Sequence, residues 1–565
     1  MEEDNLPPIY SNIKEVIMNK LYRNIIIILL LILGLFGVLL TLELSKNNSS
    51  NTTIKYSSSS NLHIDMSNWS YDSKNKVYYQ LGLVYTSKPV AKEYESMAIY
   101  VPADYMNCTK KGSKYTCSLN KTNKIKGYTS KTAPIVMPIN TAGYSAQQSP
   151  TSYNYNEIES YMKRGFIYVY SGARGRNNGN NYSGGAPWGV TDFKAAIRYL
   201  RYNKNSLAGD EESIYVFGGS GGGAQSSILG ASGDSSLYNK YLNKIGALMK
   251  DDDGNKLSDA VKGVMAWVPI TNLDTANEAY EWNMGQYMTT GTRSSSTWTS
   301  ALSKDLAKEY AKYINKLKLK DSNGNTLTLS KTSNGIYTSG TYYDYLKSVI
   351  EKSLTNYLND NYTNVSDMKN YVSKYSWVTF DEDTKKVTIT SVKDFVKACK
   401  NATKDVGAFD DLNRNQAENY VFGNNKTDAL HFDSIMSKLL NSKDYSKYSD
   451  YNSKYAKEYK KDMSNKDSLN TESSTRQNMY NPMYYLTKYY KGYKKSSVAK
   501  NWRIRSGITQ GDTALTTEMN LALALNNYKN LNVDFETVWD QGHTNAERTG
   551  NSTTNFISWV NESMK

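Results

Sequence analysis

From about Val77 the chain alternates between two hydrophobic patterns. VYYQLGLVY, SMAIYVPA and APIVMPIN are short, apolar and rich in β-branched and aromatic residues, as strands are. NEIESYMKRG and GVTDFKAAIRYLRYN space their apolar residues at helical intervals instead. The alternation runs to VKGVMAWVPI and predicts a mainly parallel sheet with helices on its faces. Between 272 and 480 it stops. That stretch is rich in Lys, Tyr and Asp, with a helix in SKDLAKEYAKYINKL and a hairpin expected around DSNGNTLTL. Strand and helix then resume with NWRIRSGI, TEMNLALALNNYKN and VDFETVW. The division expected is therefore a first core part at 71–271, an insertion at 272–480 and a second core part at 481–565. An insertion between sheet strands reads as a lid, since loops at strand C-termini surround an α/β active site.

The N-terminus has a third pattern. Ile25 to Leu42 is almost wholly apolar and as a helix would span about 27 Å, close to the hydrocarbon thickness. Residues 24–44 are thus expected to anchor the chain, with 1–23 as a cytoplasmic tail and 45–70 as a Ser/Asn-rich linker. Lys14, Lys20 and Arg23 precede the segment, so the positive-inside tendency makes the rest extracytoplasmic. The expected location is the cell membrane, single-pass; a cleaved signal peptide is the rival reading, against which the apolar run is long and no small-x-small cleavage site follows it.

Chemistry enters at Ser213 to Ser227, SIYVFGGSGGGAQSS. An apolar strand meets a helix-compatible segment through Gly218, Gly219, Ser220, Gly221 and Gly222, a G-x-S-x-G pattern whose small residues let a sharp turn expose a hydroxyl. A nucleophilic serine needs a base, usually histidine, and the chain has three. His63 lies in a polar N-terminal stretch and His431 in the charged, helix-like DALHFDS; both read as surface or structural residues. His543 follows the strand VDFETVW on the turn DQGHTN, where the chain order Ser, acid, His places the base. Asp512 is the sole carboxylate in TQGDTAL, the loop after the penultimate strand, and is the expected acid. Asp540 is too close in sequence to the histidine and reads as a surface-turn residue.

Composition changes the picture little. A net charge of +14 raises the question of nucleic acid, but the basic residues are dispersed among acids and tyrosines, so no nucleic-acid partner is expected. Cys108 and Cys117 flank TKKGSKYT, a hairpin candidate, and can pair in an oxidising compartment or remain thiols; Cys399 reads as a small core residue. DDDGN at 251–255 and DSNGN at 321–325 lack the rest of a calcium loop and read as turns. No metal or other cofactor is expected.

Several segments in order carry a resemblance: KPVAKEYESMAIYVP, YSGARGR, GAPWGVTDFKAAIRYLR, the Ser220 elbow, PITNLDTANEAYEW, GAFDDLNRNQAENYVFG, NPMYYL, NWRIRSG and WDQGH. The chain from about Val77 to Val560 resembles the bacterial tannase and feruloyl-esterase-like branch of the α/β-hydrolases. The resemblance implies an α/β-hydrolase fold with an inserted lid, and an esterase for small-molecule, plant or cell-wall esters with aromatic acyl groups. Ser220 and His543 match the nucleophile and base. Lys404 and Glu418 match lid residues that hold galloyl hydroxyls in similar tannases, and Asp512 resembles the third of that set. NTAGY at 140–144 matches an oxyanion loop, with Ala142 replacing a glycine, so Gly221 and Ala142 are the implied oxyanion donors. One departure matters. Where the family has R-H-G-T followed by Asp-x-Asp, this chain reads RSGITQGDT, with Ser506 for His and Gln510 for the first, catalytic Asp. A glutamine can orient the imidazole but carries no charge, and the Asp→Asn precedent costs about 10⁴-fold in turnover. Three outcomes stay open: Asp512 serves as the acid, the enzyme is slow, or the scaffold is a surface-displayed binding protein. A peptidase of the same fold is the other enzymatic alternative.

Overall fold

Among the described residues, nine strands make one sheet: β1 Ser70–Asp72, β2 Val77–Val84, β3 Ser96–Pro102, β4 Pro134–Pro138, β5 Ile167–Ser171, β6 Asp210–Gly219, β7 Gly263–Trp267, β8 Asn501–Gly507 and β9 Asn532–Val538. The computed structural model describes residues 54–177, 184–400 and 402–565, so the expected anchor lies outside the described residues. The spatial order is β1-β2-β3-β5-β4-β6-β7-β8-β9. The first three strands run antiparallel, and β3 meets β5 antiparallel. From β5 to the β9 edge every pairing is parallel. Parallel strands covered on both faces read as continuous apolar runs, and β4 and β7 are buried at every residue.

The helices follow from local signals. α1, Tyr155–Arg164, starts where the Asn154 side chain accepts the Asn156 N–H and stops at Gly165, whose φ of 83° is left-handed. α2, Trp188–Tyr202, is almost entirely buried, which forces its charges into pairs. Asp192 takes Arg174 at 2.7 Å, while Lys194 and Arg198 converge on Asp259 at 2.7 and 2.5 Å. α3, Gly221–Ala231, is buried throughout behind the sheet strands. β8 also carries buried charges: Arg503 forms a fork with Glu547 at 2.6 and 2.7 Å, and Arg505 reaches Asp534 at 2.6 Å.

The regular structure between β7 and β8 is mostly helical, and its core is continuous with that of the sheet. Tyr310, Tyr342 and Leu346 of the insertion share one apolar cluster with Ile504 and Leu521. The Tyr342 hydroxyl donates to Asn520 Oδ1 at 2.7 Å on α5, Leu515–Asn527. The hairpin expected at DSNGNTLTL is only a closed turn: Asp321 accepts the Asn323 and Asn325 amides, and one isolated bridge joins Lys320 to Thr326. Asp251 closes the same kind of turn. Cys108 and Cys117 face each other across the hairpin Met106–Lys111/Lys114–Leu119 and are disulfide-bonded; Cys399 is free and half-buried.

His431 lies fully buried in irregular chain, not on a surface helix. Its Nδ1 is 2.7 Å from Asp410 and its ring stacks on Tyr459 at 3.6 Å. Close by, Asp433 caps the helix Ser434–Ser442. Burial, and then the charge of Asp410, push the Asp433 carboxyl up to about 7, and burial also raises Glu278. A carboxyl raised in the folded state contributes stability below its unfolded value, lost as pH rises through the folded one. Asp433→Asn, which retains a capping oxygen, is therefore expected to gain stability relative to the parent between pH 4 and pH 7.5 in urea unfolding. A difference independent of pH would contradict this.

Candidate active site

β6 passes into α3 through Ser220, which holds φ 57° and ψ −121° while its N–H donates to the Trp267 carbonyl at 2.9 Å. A non-glycine residue with positive φ costs about 1–3 kcal/mol and persists only where its surroundings impose it. The surroundings here are close backbone contacts. A Cβ at Gly218 or Gly222 would collide with the Ile139 carbonyl oxygen, so glycine on both sides of the elbow is a packing requirement. The result lifts Oγ out at the C-terminal edge of the parallel strands.

His543 meets it. Gly507, the last residue of β8, lacks the Cβ that would strike the Gly542 carbonyl, and this lets the 540–544 turn cross the strand end. His543 Nε2 lies 2.8 Å from Ser220 Oγ, and Nδ1 lies 2.7 Å from Gln510 Oε1. The Gln510 amide nitrogen donates to Ser506 Oγ at 2.9 Å and to Glu518 Oε1 at 2.7 Å, which leaves the carbonyl oxygen facing the ring. Because that oxygen only accepts, Nδ1 carries the hydrogen and Nε2 presents its lone pair to the serine hydroxyl. An imidazole so held can take up the hydroxyl proton.

Asp512 does not occupy the place expected of it. Its Oδ2 is 3.8 Å from Nδ1, beyond hydrogen-bond reach, and its side chain is 48 % exposed, whereas Gln510 is buried. Gln510 sits closer to the rigid strand end, so it reaches the ring first. Asp540 is an exposed turn residue with φ 61°. Burial lowers the His543 pKa; Asp512 opposes this, while Lys404 and Lys400 add to it.

The insertion contributes a wall. Glu418 on the short helix α4, Ala417–Val421, is buried and its carboxyl is raised by that burial, against the pull of Lys404 and Arg176. The Lys404 ammonium lies 4.1 Å over the Phe409 ring. The charges of Lys404 and Asp512 bear on both His543 and Glu418, Lys404 against the Glu418 shift and Asp512 with it. Ala142–Tyr144 forms a tight turn against the elbow. A Cβ on Gly221 would lie 2.5 Å from Tyr144 N and 3.0 Å from Gly143 N. Tyr144 donates to Thr141, so the Gly143 N–H, one residue beyond Ala142, is the nearest loop donor left to pair with the helix-start N–H of Gly221. Arg176 fastens this turn, its Nε donating to Gly143 O at 2.6 Å.

Glu518, Lys400 and Arg176 were not legible as site residues. Glu518 is an acid in the first turn of an apolar helix, a position that ordinary helix-dipole chemistry accounts for. Burial pushes its carboxyl up to about 7, opposed by Lys400, whose own ammonium burial lowers to about 8.

The family model described as BD-FAE matches residues 125–317. A native tannin acyl hydrolase from Lactobacillus plantarum superposes with a TM-score of 0.66 at 26 % identity, covering 86 % of this chain and 94 % of that one. A Fusobacterium nucleatum tannase gives 0.67 at 27 %, with 86 % and 95 % covered. A tannin acyl hydrolase in complex with ethyl gallate gives 0.65 at 26 %, with 89 % and 99 % covered. The chain is a tannase- and feruloyl-esterase-like α/β-hydrolase. As such it is a carboxylic ester hydrolase. No curated protein sequence matches it. For this tannase-like esterase, the lowered His543 pKa sets the expected pH response: the base form is lost only as pH falls through a value below the ordinary 6.5. The acid limb of kcat/KM on p-nitrophenyl acetate should lie below pH 6.5, and a limb above it would contradict the assigned environment.

Proposed function

We propose that the chain is a membrane-anchored, extracytoplasmic serine esterase that cleaves esters of hydroxylated aromatic acids through an acyl-enzyme. The observation that carries the reading is the continuous hydrogen-bonded line from Ser220 Oγ through His543 to Gln510, set on a positive-φ elbow. Ser220 attacks the ester carbonyl as His543 Nε2 accepts its proton, and the oxyanion is held by the Gly221 N–H and one from the Ala142–Gly143 turn. The imidazolium then protonates the departing alcohol. Water, deprotonated by His543, cleaves the acyl-enzyme.

The acyl specificity rests on the insertion wall. Lys404, Glu418 and Asp512 offer one donor and two acceptors to ring hydroxyls, and a similar fold binds ethyl gallate. With Nδ1 taken by Gln510, Asp512 is free for this contact. The apolar Ile25–Leu42 supports the anchor, and the polar 45–70 linker supports display outside the membrane. The uncharged Gln510 is the one observation that favours the second reading, a catalytically weak surface binder.

Ser220→Ala and His543→Ala are each expected to abolish p-nitrophenyl acetate hydrolysis in a folded domain, and a fluorophosphonate probe should label the parent but not Ser220→Ala. More than about a tenth of parental turnover in either variant contradicts the assignment. Glu418→Gln should raise KM for a gallate ester about tenfold while leaving p-nitrophenyl acetate turnover near parental; equal effects on both esters would remove the specificity role. Protease added to intact cells should release a nearly full-length fragment cut within 45–70, and full-length protein in the cytosol would contradict the anchor.

A further inference from the structure

A side-chain amide is nearly symmetric in shape, so nothing in its outline decides which end meets a neighbour. At Gln510 the far end decides. Its nitrogen lies 2.7 Å from Glu518 Oε1, and the ionised carboxylate, which the Lys400 ammonium favours, only accepts, so the amide oxygen points the other way, 2.7 Å from His543 Nδ1. We propose that Glu518 is a positioning residue that takes over the work of the absent triad carboxylate, acting through Gln510. It locks the amide with oxygen toward the imidazole, fixes the tautomer with Nε2 basic, and supplies negative charge to the imidazolium from one amide away. No proton passes through Gln510, which neither gains nor loses one. The inference rests on the reading of Ser220 and His543 as nucleophile and base.

The surroundings fit this role better than a purely structural one. Glu518 is fully buried on α5, a costly place for a carboxylate. Both side-chain donors, Gln510 and Ser506, converge on Oε1, while Oε2 has no hydrogen-bond partner among the described residues. A carboxyl kept for packing or stability would be poorly placed here, because an unsatisfied buried acceptor is destabilising. The groups facing it are Lys400 from Val396–Lys400, Tyr310 from Trp298–Leu317, and Ser506 and Gln510 from β8 and its loop. Those acting on His543 are Asp512, Lys404 and Lys400. Asp512 is the competing source of charge, but it is half exposed and makes no hydrogen bond to the ring, so water screens it.

The test sets a single loss of charge against an exchange that conserves shape and net charge. Glu518→Gln should lower kcat on p-nitrophenyl acetate at least tenfold with KM within twofold, and move the acid limb of kcat/KM to lower pH. The double variant Gln510→Glu with Glu518→Gln moves the carboxylate one place toward the ring and should restore kcat to within threefold of the parent. The His543 titration, followed by its downfield Nδ1–H resonance and assigned with His543→Ala, reads the relay without turnover. Its pKa should fall in Glu518→Gln and recover in the double variant. Unchanged titration in Glu518→Gln, a fall that the double variant does not reverse, or the whole effect appearing in Asp512→Asn instead, each overturns the proposal. If the parent fails to label with fluorophosphonate while the titration shifts as stated, the nucleophile reading fails and the relay stands.

Discussion

The orientation of one neutral amide governs the chemistry available at this site. Gln510 turned the other way would aim its NH₂ at Nδ1, force the ring into the opposite tautomer and present an N–H to Ser220, where a lone pair is needed. What prevents the turn is the pair of acceptors behind it, Ser506 Oγ at 2.9 Å and Glu518 Oε1 at 2.7 Å. Reversal would set the amide oxygen against a carboxylate in a buried space, at a cost of at least one charge-assisted hydrogen bond, about 1.5–3 kcal/mol. That margin corresponds to a population ratio of about tenfold or more in favour of the observed orientation.

The rest of the fold serves to keep this line rigid. β8 delivers Ser506 from its interior and Gln510 just past its end, α5 delivers Glu518, and the turn after β9 delivers His543. Each element is pinned by buried polar pairs as well as by apolar packing. The Arg503–Glu547 fork holds the chain just beyond His543 to β8, and the Tyr342–Asn520 bond holds α5 against the insertion. Buried pairs contribute little net stability over apolar residues, but loss of one partner leaves an uncompensated charge. Their effect here is geometric definition at the places where the line is anchored.

How much was readable in advance depended on whether a residue's role was local or came from burial. The strands of the parallel sheet, the elbow and the C-terminal histidine carry signals in their own neighbourhoods: apolar runs, glycines at fixed offsets, chain order. Ser220 and His543 are expected as a pair on those signals, and a hydrogen bond of 2.8 Å joins them. The antiparallel arrangement of β1 to β3 has no such signal, because strand direction is set by partners distant in sequence. Asp512 illustrates a different gap. The chemistry calls for a carboxylate and Asp512 is the one the loop offers, but side-chain reach is decided by where the loop leaves the strand, and Gln510 leaves first. Glu518 was invisible because a first-turn acid on an apolar helix has a sufficient local explanation; only its complete burial sets it apart.

The two departures from the family's loop pattern, Ser506 and Gln510, look like independent losses when read along the chain. In space they are one arrangement, since the Gln510 amide donates to Ser506 Oγ and both meet Glu518. A serine at 506 is small enough to stand beside the glutamine and still offer an acceptor, which a larger ring would do with different reach. Together the substitutions do not simply delete a charge from the imidazole's side but set it one hydrogen bond further back, in a buried place where water and salt screen Coulomb interactions less. Asp512, half exposed and 3.8 Å from Nδ1, is then not needed to hold the ring.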